Sequence, residues 1–488
     1  MKTITLRITE NLFDRLKTQV FRRYPSQEWA TFIECAWHHD PEHGLAINVI
    51  GIREPREGDL DASVDHVEFT EPYSLRMALT LEGHPFGAGV VHSHPEEYRV
   101  FPSLVDDDMD SYFSQFFDDF AKGRPYTSLI FALDENGVFT FSGRVWFENR
   151  WLKVDKLLVI GETISSYAAQ NVKPRTLPRL LKARLERFTS ELGEEAAERL
   201  WNSTVTIAGC GGTGSPAGHS LARSGVGRII LIDNDYLAIH NSERIHGAWA
   251  EYLELGSPPP KVLLLAELIR RINPDIEVIP IFGNLLQAEI RGLILQSSVI
   301  LGCTDTEHGM VAVSELAYRY LVPAFQVNVA LESKEKTLTG EILQFTRYLP
   351  GFACAFCRAQ VDSWRLTAEL MSEDERKRRK LDAQAAEKRG EKGDAYWRDT
   401  PIIPTIGALT TIGGELAANF AIGAITGRFK PAADFFEMNL LAPDLGVVSA
   451  PQKPLPRCAC ATIVGHSEQG ASRAIISVPL HWSKPRVL

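Results

Sequence analysis

The sequence predicts an α/β protein of two units, the second carrying a mostly parallel sheet. Three observations carry this. At 488 residues the chain exceeds what one ordinary core organises. Residues 1–150 alternate helix-like and strand-like stretches and close on the strand pattern GVFTFSGRVWF. From Val205 a strand, a glycine loop, a helix and a second strand follow in turn, and strand–helix alternation continues to about residue 345.

Taken in order, the start MKTITLRITENLFDRLK is amphipathic and lacks the uninterrupted apolar core of a secretory signal. Residues 151–182 are expected to form a helical linker, broken by Pro174 and Pro178, with the second domain running over 183–488. Within it, segment 358–405 is densely charged and poor in apolar residues, which predicts a solvated helix or a mobile loop. The longest apolar stretch, Ile402 to Gly427, is interrupted by Pro404, Glu415 and Asn419, so no membrane span is expected and the cytoplasm is the expected compartment. A net charge of −10 argues against a broad nucleic-acid-binding surface. Seven cysteines are too few for a disulfide scaffold, but Cys354/Cys357 and Cys458/Cys460 form two close pairs, which favours a shared metal ion.

The first chemistry lies in GAGVVHSHPEEYRVFPSLVDDD. His92 and His94 are two apart at the end of an apolar run, so on a strand both imidazoles face one way. Pro95 is expected to stop that strand. Ser103 reads as the cap of a helix beginning at Leu104, which puts Asp106 in its first turn. Two imidazoles and one carboxylate make a zinc site with an open position. This stretch resembles the motif of JAB/JAMM metalloproteases, of the JAB/MPN α/β fold. The resemblance implies His92, His94 and Asp106 as zinc ligands, Ser103 as an oxyanion-stabilising serine, and an upstream glutamate as general acid/base. That glutamate is expected to be Glu28; Glu34 has the same strand parity. One departure is the spacing: eight residues separate His94 from Ser103, one more than is usual in the family.

The second chemistry begins with Gly209, Gly211 and Gly214 in the pattern Gly-x-Gly-x-x-Gly between a strand and a helix, with Asp233 closing the next strand. Such a turn takes phosphate at a helix start, and Asp233 is placed for a ribose hydroxyl. A nicotinamide dehydrogenase would share that much. It has no need for Asp235, Asn241, Arg244, Lys261 and Asp305, whereas attack on the α-phosphate of ATP does: Arg244 and Lys261 offset phosphate charge and Asp305 holds Mg²⁺.

Over residues 183–465 the pattern resembles the ubiquitin-activating and ThiF/MoeB-like adenylyltransferases, with a Rossmann-like sheet. The resemblance implies a homodimer that binds ATP with Mg²⁺ and adenylates the C-terminal glycine of a ubiquitin-like carrier, with Arg187 completing the ATP site. It also implies a structural Zn²⁺ on Cys354, Cys357, Cys458 and Cys460. Thr306 after Asp305 and Met310 depart from the family pattern, and 358–405 lacks the cysteine that would form a thioester. Cys35, Cys210 and Cys303 are expected to be packing residues. The activated carboxyl would then stay an acyl-adenylate, pass to a sulfur donor, or esterify a hydroxyl such as Ser363, Ser372, Thr400 or Thr405. The setting these resemblances imply is a bacterial ubiquitin-like modification system with a conjugating enzyme as possible partner, antiviral defence being one context. Sulfur transfer in cofactor biosynthesis is the alternative.

Overall fold

The computed structural model describes residues 3–64, 66–94, 100–170, 172–399, 403–449, 451–470 and 476–488. The amino-terminal alternation becomes β1 (Thr3–Thr9), α1 (Glu10–Val20), β2 (Ala30–Asp40), β3 (Gly44–Arg53), the small hairpin β4 (Leu60–Ala62) and β5 (Val67–Phe69), α2 (Glu71–Glu82), β6 (Gly87–Ser93), α3 (Leu104–Phe120), β7 (Tyr126–Leu133) and β8 (Phe139–Phe147). These strands, the hairpin apart, join β9 (Arg150–Lys153), β10 (Lys156–Ile160) and β11 (Ile164–Ala168) in one nine-stranded sheet, ordered β11-β10-β1-β3-β2-β6-β7-β8-β9. β6 sits near its middle, antiparallel to β2 and parallel to β7, and every one of its residues is buried. Gly87 and Gly89 permit this, since a Cβ at either would come within 2.4 and 2.5 Å of carbonyl oxygens of Pro125 and Thr127.

Residues 151–182, expected as a helical linker, instead carry the end of β9 and all of β10 and β11: β10 runs parallel to β1 with Thr5 opposite Lys156, and helix begins only with α4 (Arg179–Arg184). A short apolar run such as KLLVI reads equally as buried helix or buried strand. The unpaired edge of β1 decides it.

The second unit continues with α5 (Glu186–Leu192), α6 (Glu194–Trp201), β12 (Thr204–Ala208), α7 (Gly214–Ser224), β13 (Arg228–Asp233), α8 (Ala250–Leu253), α9 (Lys261–Ile272), β14 (Glu277–Phe282), α10 (Arg291–Ile294), β15 (Val299–Gly302), α11 (Glu307–Arg319), β16 (Ala324–Lys334) and β17 (Thr337–Tyr348). Then come α12 (Ser363–Leu370), α13 (Glu373–Lys388), α14 (Gly407–Thr426), β18 (Phe435–Asn439), β19 (Val448–Ser449), α15 (Ala459–Thr462) and β20 (Arg486–Val487). The sheet order is β19-β18-β17-β16-β15-β12-β13-β14-β20, parallel from β14 to β16. The order reverses between β12 and β15, the place where doubly wound sheets open a crevice at the carboxyl ends of their strands.

The charged segment is helical: Ser372 caps α13, whose first turn carries Glu373, Asp374 and Glu375 where the helix dipole favours them. Helix α14 is long and apolar enough to cross a membrane by length and composition, yet it lies mostly buried within this unit. It sits flush on the glycine turn, because a Cβ on Gly414 would fall 2.2 Å from the Thr213 carbonyl oxygen.

The two sheets are joined. Leu158, Ile160 and Ile164 enter the same apolar core as Leu181, Trp201 and Val205. The fully buried Arg7 donates to the carbonyls of Leu295 and Ser297 just past α10, and Lys156 donates to that of Gln296. Burial beside Arg7 and Arg228 pushes the Lys156 ammonium down to about 8. A strap at 465–469 closes the other side: Asn48 Nδ2 donates to Gly465 O at 2.9 Å and the Trp37 amide to Gln469 Oε1 at 2.8 Å.

Candidate functional site

His92 is the penultimate residue of β6, opposite the small Ala30 of β2, and His94 follows directly after the strand. Helix α3 approaches from the other side with Ser103 as its cap: Ser103 Oγ accepts the Asp106 amide at 3.1 Å and the Ser103 amide donates to Asp106 Oδ2 at 2.6 Å. The structure thereby gathers the expected ligands. His92 Nε2 lies 2.9 Å from Asp106 Oδ1 and 3.1 Å from His94 Nε2, which is 3.4 Å from Asp106 Oδ2. Burial opposes charge here, but the contacts win: His92 is raised, and hydrogen bonds from both imidazoles hold the Asp106 carboxyl well below the usual carboxylate range. The donor atoms of these three residues lie within 4.8 Å of one another, a set that fits a three-ligand zinc ion.

Glu28, buried just before β2, brings its carboxylate to 3.8 Å from His94 Nε2. Glu34 instead pairs with Arg53 at 3.0 Å, immediately before a register shift between β2 and β3. Pro95 lies outside the described residues. One residue the sequence reading missed is Arg144 on β8. It donates to the Asp106 carbonyl at 3.2 Å and to the buried Asp110 carboxylate at 2.6 Å, pairs with Asp107, and lies over the Trp151 ring. An arginine inside a strand rich in aromatic residues was the available signal, since such a cation needs acids beside it when buried.

The glycine turn leaves β12 at the reversal point. Gly209 has φ +92°, and a Cβ there would lie 2.5 Å from Cys303 O at the end of β15. A Cβ on Gly214 would strike Gly209 O at 1.8 Å. Gly211 differs: a Cβ there meets no protein atom within 4 Å, so this glycine keeps an open cradle at the start of α7, where phosphate is favoured.

Around the cradle the structure brings together most of the expected set. Asn241 Oδ1 accepts the Ala238 amide at 2.9 Å and shapes the loop that carries Arg244, whose aliphatic stem lies about 3.0 Å from the position of a Cβ on Gly212. Lys261 begins α9 and its Nζ lies 2.9 Å from Asp235. Burial disfavours that ammonium, but the carboxylates of Asp233, Asp235 and Asp305 outweigh it and raise Lys261 above its usual value. Asp305 is exposed two residues past Cys303, beside the turn, which suits a cation-binding acid.

Asp233, expected at the ribose, also braces the turn, and each of its oxygens keeps a further lone pair for a ligand hydroxyl. Its Oδ2 accepts the Cys210 amide at 2.7 Å and its Oδ1 the Asp235 amide at 2.8 Å, and Asp235 beside it is exposed. Arg187 is not brought in: it lies exposed on α5, and among the described residues it makes no contact with the cradle.

The four paired cysteines meet, with Cys354 Sγ 3.5 Å from Cys458 Sγ and Cys357 Sγ 3.6 Å from Cys460 Sγ, all unbridged and within 4.8 Å of one another. Four converging thiols fit a tetrahedral zinc ion. Burial pushes the Cys35 and Cys303 thiols up to about 12 and raises Cys210 well above its usual value, which makes all three poor nucleophiles. Ser372 caps α13 and Ser363 opens α12; Thr405 Oγ1 is buried without a partner among the described residues, and Thr400 lies outside them.

Comparison with known proteins decides what the second unit is. A profile of the ThiF family matches residues 183–461, more than half of the chain. The chain belongs to the ThiF family. Among curated relatives, this ThiF protein is similar to the tRNA threonylcarbamoyladenosine dehydratase of Bacillus subtilis (strain 168), 47% identical over 89 residues, 18% of this chain and 33% of that one. It is 34% identical over 139 residues to the adenylyltransferase and sulfurtransferase MOCS3 of Sus scrofa, covering 28% and 29% of the two chains. It is 32% identical over 170 residues to the molybdopterin-synthase adenylyltransferase of Escherichia coli (strain K12), covering 34% and 63%. The chain thus spans about a third of the length of the first two relatives. Because the family match begins at residue 183, the amino-terminal site of this ThiF protein rests on its own residues and geometry.

Proposed function

We propose that the second unit adenylates the C-terminal carboxylate of a small ubiquitin-like or sulfur-carrier protein, and that the first unit is a JAB/JAMM-type zinc isopeptidase acting on the same tail. The observation that carries the reading is the ring of Arg244, Lys261 and Asp305 around the open Gly211 cradle. A carboxylate oxygen of the carrier attacks the α-phosphorus of ATP and pyrophosphate leaves, giving an acyl-adenylate. Lys261 and Arg244 offset the charge that builds on the phosphate, and Asp305 holds Mg²⁺. Asp233, with Asp235 beside it, takes the ribose. Arg187, exposed here, would complete the site of a partner subunit in a homodimer.

In the first unit, zinc held by His92, His94 and Asp106 would supply the Lewis acid for water and for the amide carbonyl. Glu28 is placed to take a proton from water and return it to the leaving amine, which balances amide hydrolysis. The Ser103 hydroxyl, which accepts a backbone amide as helix cap, keeps its own hydrogen for a developing oxyanion. Cleavage would expose the glycine carboxylate that the second unit activates.

Two settings fit. The names of the MOCS3 and molybdopterin-synthase relatives favour a sulfur carrier, while a bacterial ubiquitin-like conjugation pathway suits a chain that also removes the modifier. The dehydratase similarity is confined to 89 residues, and a net charge of −10 gives no support to an RNA substrate. Carrier-dependent exchange of labelled pyrophosphate into ATP tests the adenylation, and its absence with every candidate carrier would sink it. Release of a carrier from a C-terminal extension, abolished by chelator, tests the first unit.

A further inference from the structure

Helix α12 reaches back onto the turn that carries Asp305. Arg365 donates to the Asp305 carbonyl at 2.5 Å and lies 3.4 Å from the Glu369 carboxylate. Glu369 in turn accepts the Glu307 amide at 3.1 Å through Oε1, and the His308 amide at 3.0 Å through Oε2. These are among the donors at the start of α11 that the helix itself cannot satisfy. The neighbouring Gly309 amide is taken locally by Thr306 Oγ1, at 3.3 Å. The turn is therefore held from outside, by a helix about sixty residues further along the chain.

The same carboxylate fixes a side chain. His308 Nδ1 lies 2.8 Å from Glu369 Oε2, so with that nitrogen donating, Nε2 accepts from Asn284 Nδ2 at 2.8 Å. Asn284 Oδ1 already accepts the Leu286 amide at 3.1 Å, which leaves its second N–H free of that pair. Asn284 lines a cavity of about 660 Å³ beyond β13 and β14, with Asn234, Tyr236 and Phe282 on its walls. Trp482 also lines it and has its ring centroid 5.2 Å from that of His308. Two carboxylate oxygens on α12 thus anchor both the Asp305 turn and a wall of the adjoining cavity.

We infer that Glu369 and Arg365 are positioning residues of the nucleotide site, and that the seating of α12 sets how well Asp305 holds its cation. This rests on the adenylation reading for its consequence, and on the hydrogen bonds alone for the latch. Because α12 opens the charged 358–405 segment, lifting that segment would loosen the Asp305 turn together with the cavity wall.

Two measurements on the full chain test it. Amide hydrogen exchange is followed in peptides covering residues 303–310, in wild type, Glu369→Ala, Arg365→Ala and Glu369→Gln. Glu369→Ala is expected to speed exchange at Glu307 and His308 about tenfold or more, while peptides from β6 keep the wild-type rate. Glu369→Gln retains one acceptor oxygen and falls between. ATP binding is then titrated with stepped Mg²⁺: Glu369→Ala and Arg365→Ala should weaken Mg²⁺-dependent binding about fivefold and leave binding of Mg²⁺-free ATP unchanged. Wild-type exchange rates in Glu369→Ala, or equal acceleration throughout the chain in all three variants, overturn the latch. Wild-type protein that binds no Mg·ATP and exchanges no pyrophosphate sinks the adenylation reading instead, and the amide rates still decide the latch.

Discussion

The two candidate sites are built in opposite ways. The histidine cluster is dry and preformed: a fully buried strand and a capped helix press His92, His94 and Asp106 into mutual contact. The cradle is open: Asp235 and Asp305 are exposed and Gly211 faces empty space, with Arg244 on a loop and Lys261 at the first turn of α9. A metal ion with bonds near 2 Å needs donors fixed in advance, and their charge is tolerable in a buried place only because they pair. A nucleotide that must enter, react and leave is better served by a half-finished ring that it completes itself.

The contrast can be broken where it is strongest. Replacing Glu28 with Gln should lower amide hydrolysis about 10³-fold while bound zinc, measured by mass spectrometry, stays at one equivalent in that site. Loss of the metal along with activity would show that Glu28 acts as a ligand instead. On the open side, Lys261→Ala should cut pyrophosphate exchange about 10²-fold with little change in melting temperature, because Lys261 works on the ligand rather than the fold. A large drop in melting temperature would erase the distinction between the sites.

Stability gives smaller, sharper tests. Arg144→Met leaves the buried Asp110 without its guanidinium, and chemical denaturation should register a loss of about 3 kcal/mol. The corresponding change at the cradle, Asp235→Asn, should cost under about 1 kcal/mol, since its pair with Lys261 is exposed on the acid side. A further effect concerns the seam between the sheets. Lys156 has its pKa lowered to about 8 by burial first and by Arg7 and Arg228 next, so the unfolded chain binds more protons above that value. Stability should therefore rise with pH between about 8 and 10, by on the order of 1 kcal/mol, and Lys156→Met should remove that slope. Parallel curves for the two proteins would show that the ammonium is solvated.

The parts that were legible in sequence are those where short-range spacing dictates geometry. Gly209, Gly211 and Gly214 announce their turn because only glycine fits the φ of the first and the close approach of the last. Ser103 and Asp106 announce a helix start by the reciprocal bonds that spacing allows. Glu28 and Glu34 share a parity, and what separates them, Arg53 beside Glu34 and the register of β2 on β6, is tertiary. The strands at 156–168 read as helix in the sequence because their pattern suits both, and the deciding partner, β1, lies at the far end of the unit. That Asp233 also braces the glycine turn, through the amides of Cys210 and Asp235, was not legible for a like reason: both contacts depend on how the turn folds back on β13. Glu369 has no local signature at all, since what it caps is about sixty residues upstream.

The placement of β1 has a bearing on how the molecule is made. That first strand lies between β3 and β10, parallel to both, so its second neighbour is absent until residues 156–160 have been synthesised. A nascent chain stalled before that point would present one bare β edge to other chains, and the segment 465–469 that straps β2 and β3 to the rest arrives only after β12 to β19 have been synthesised. Slow codons or a chaperone would matter most in the interval before residue 168 clears the ribosome.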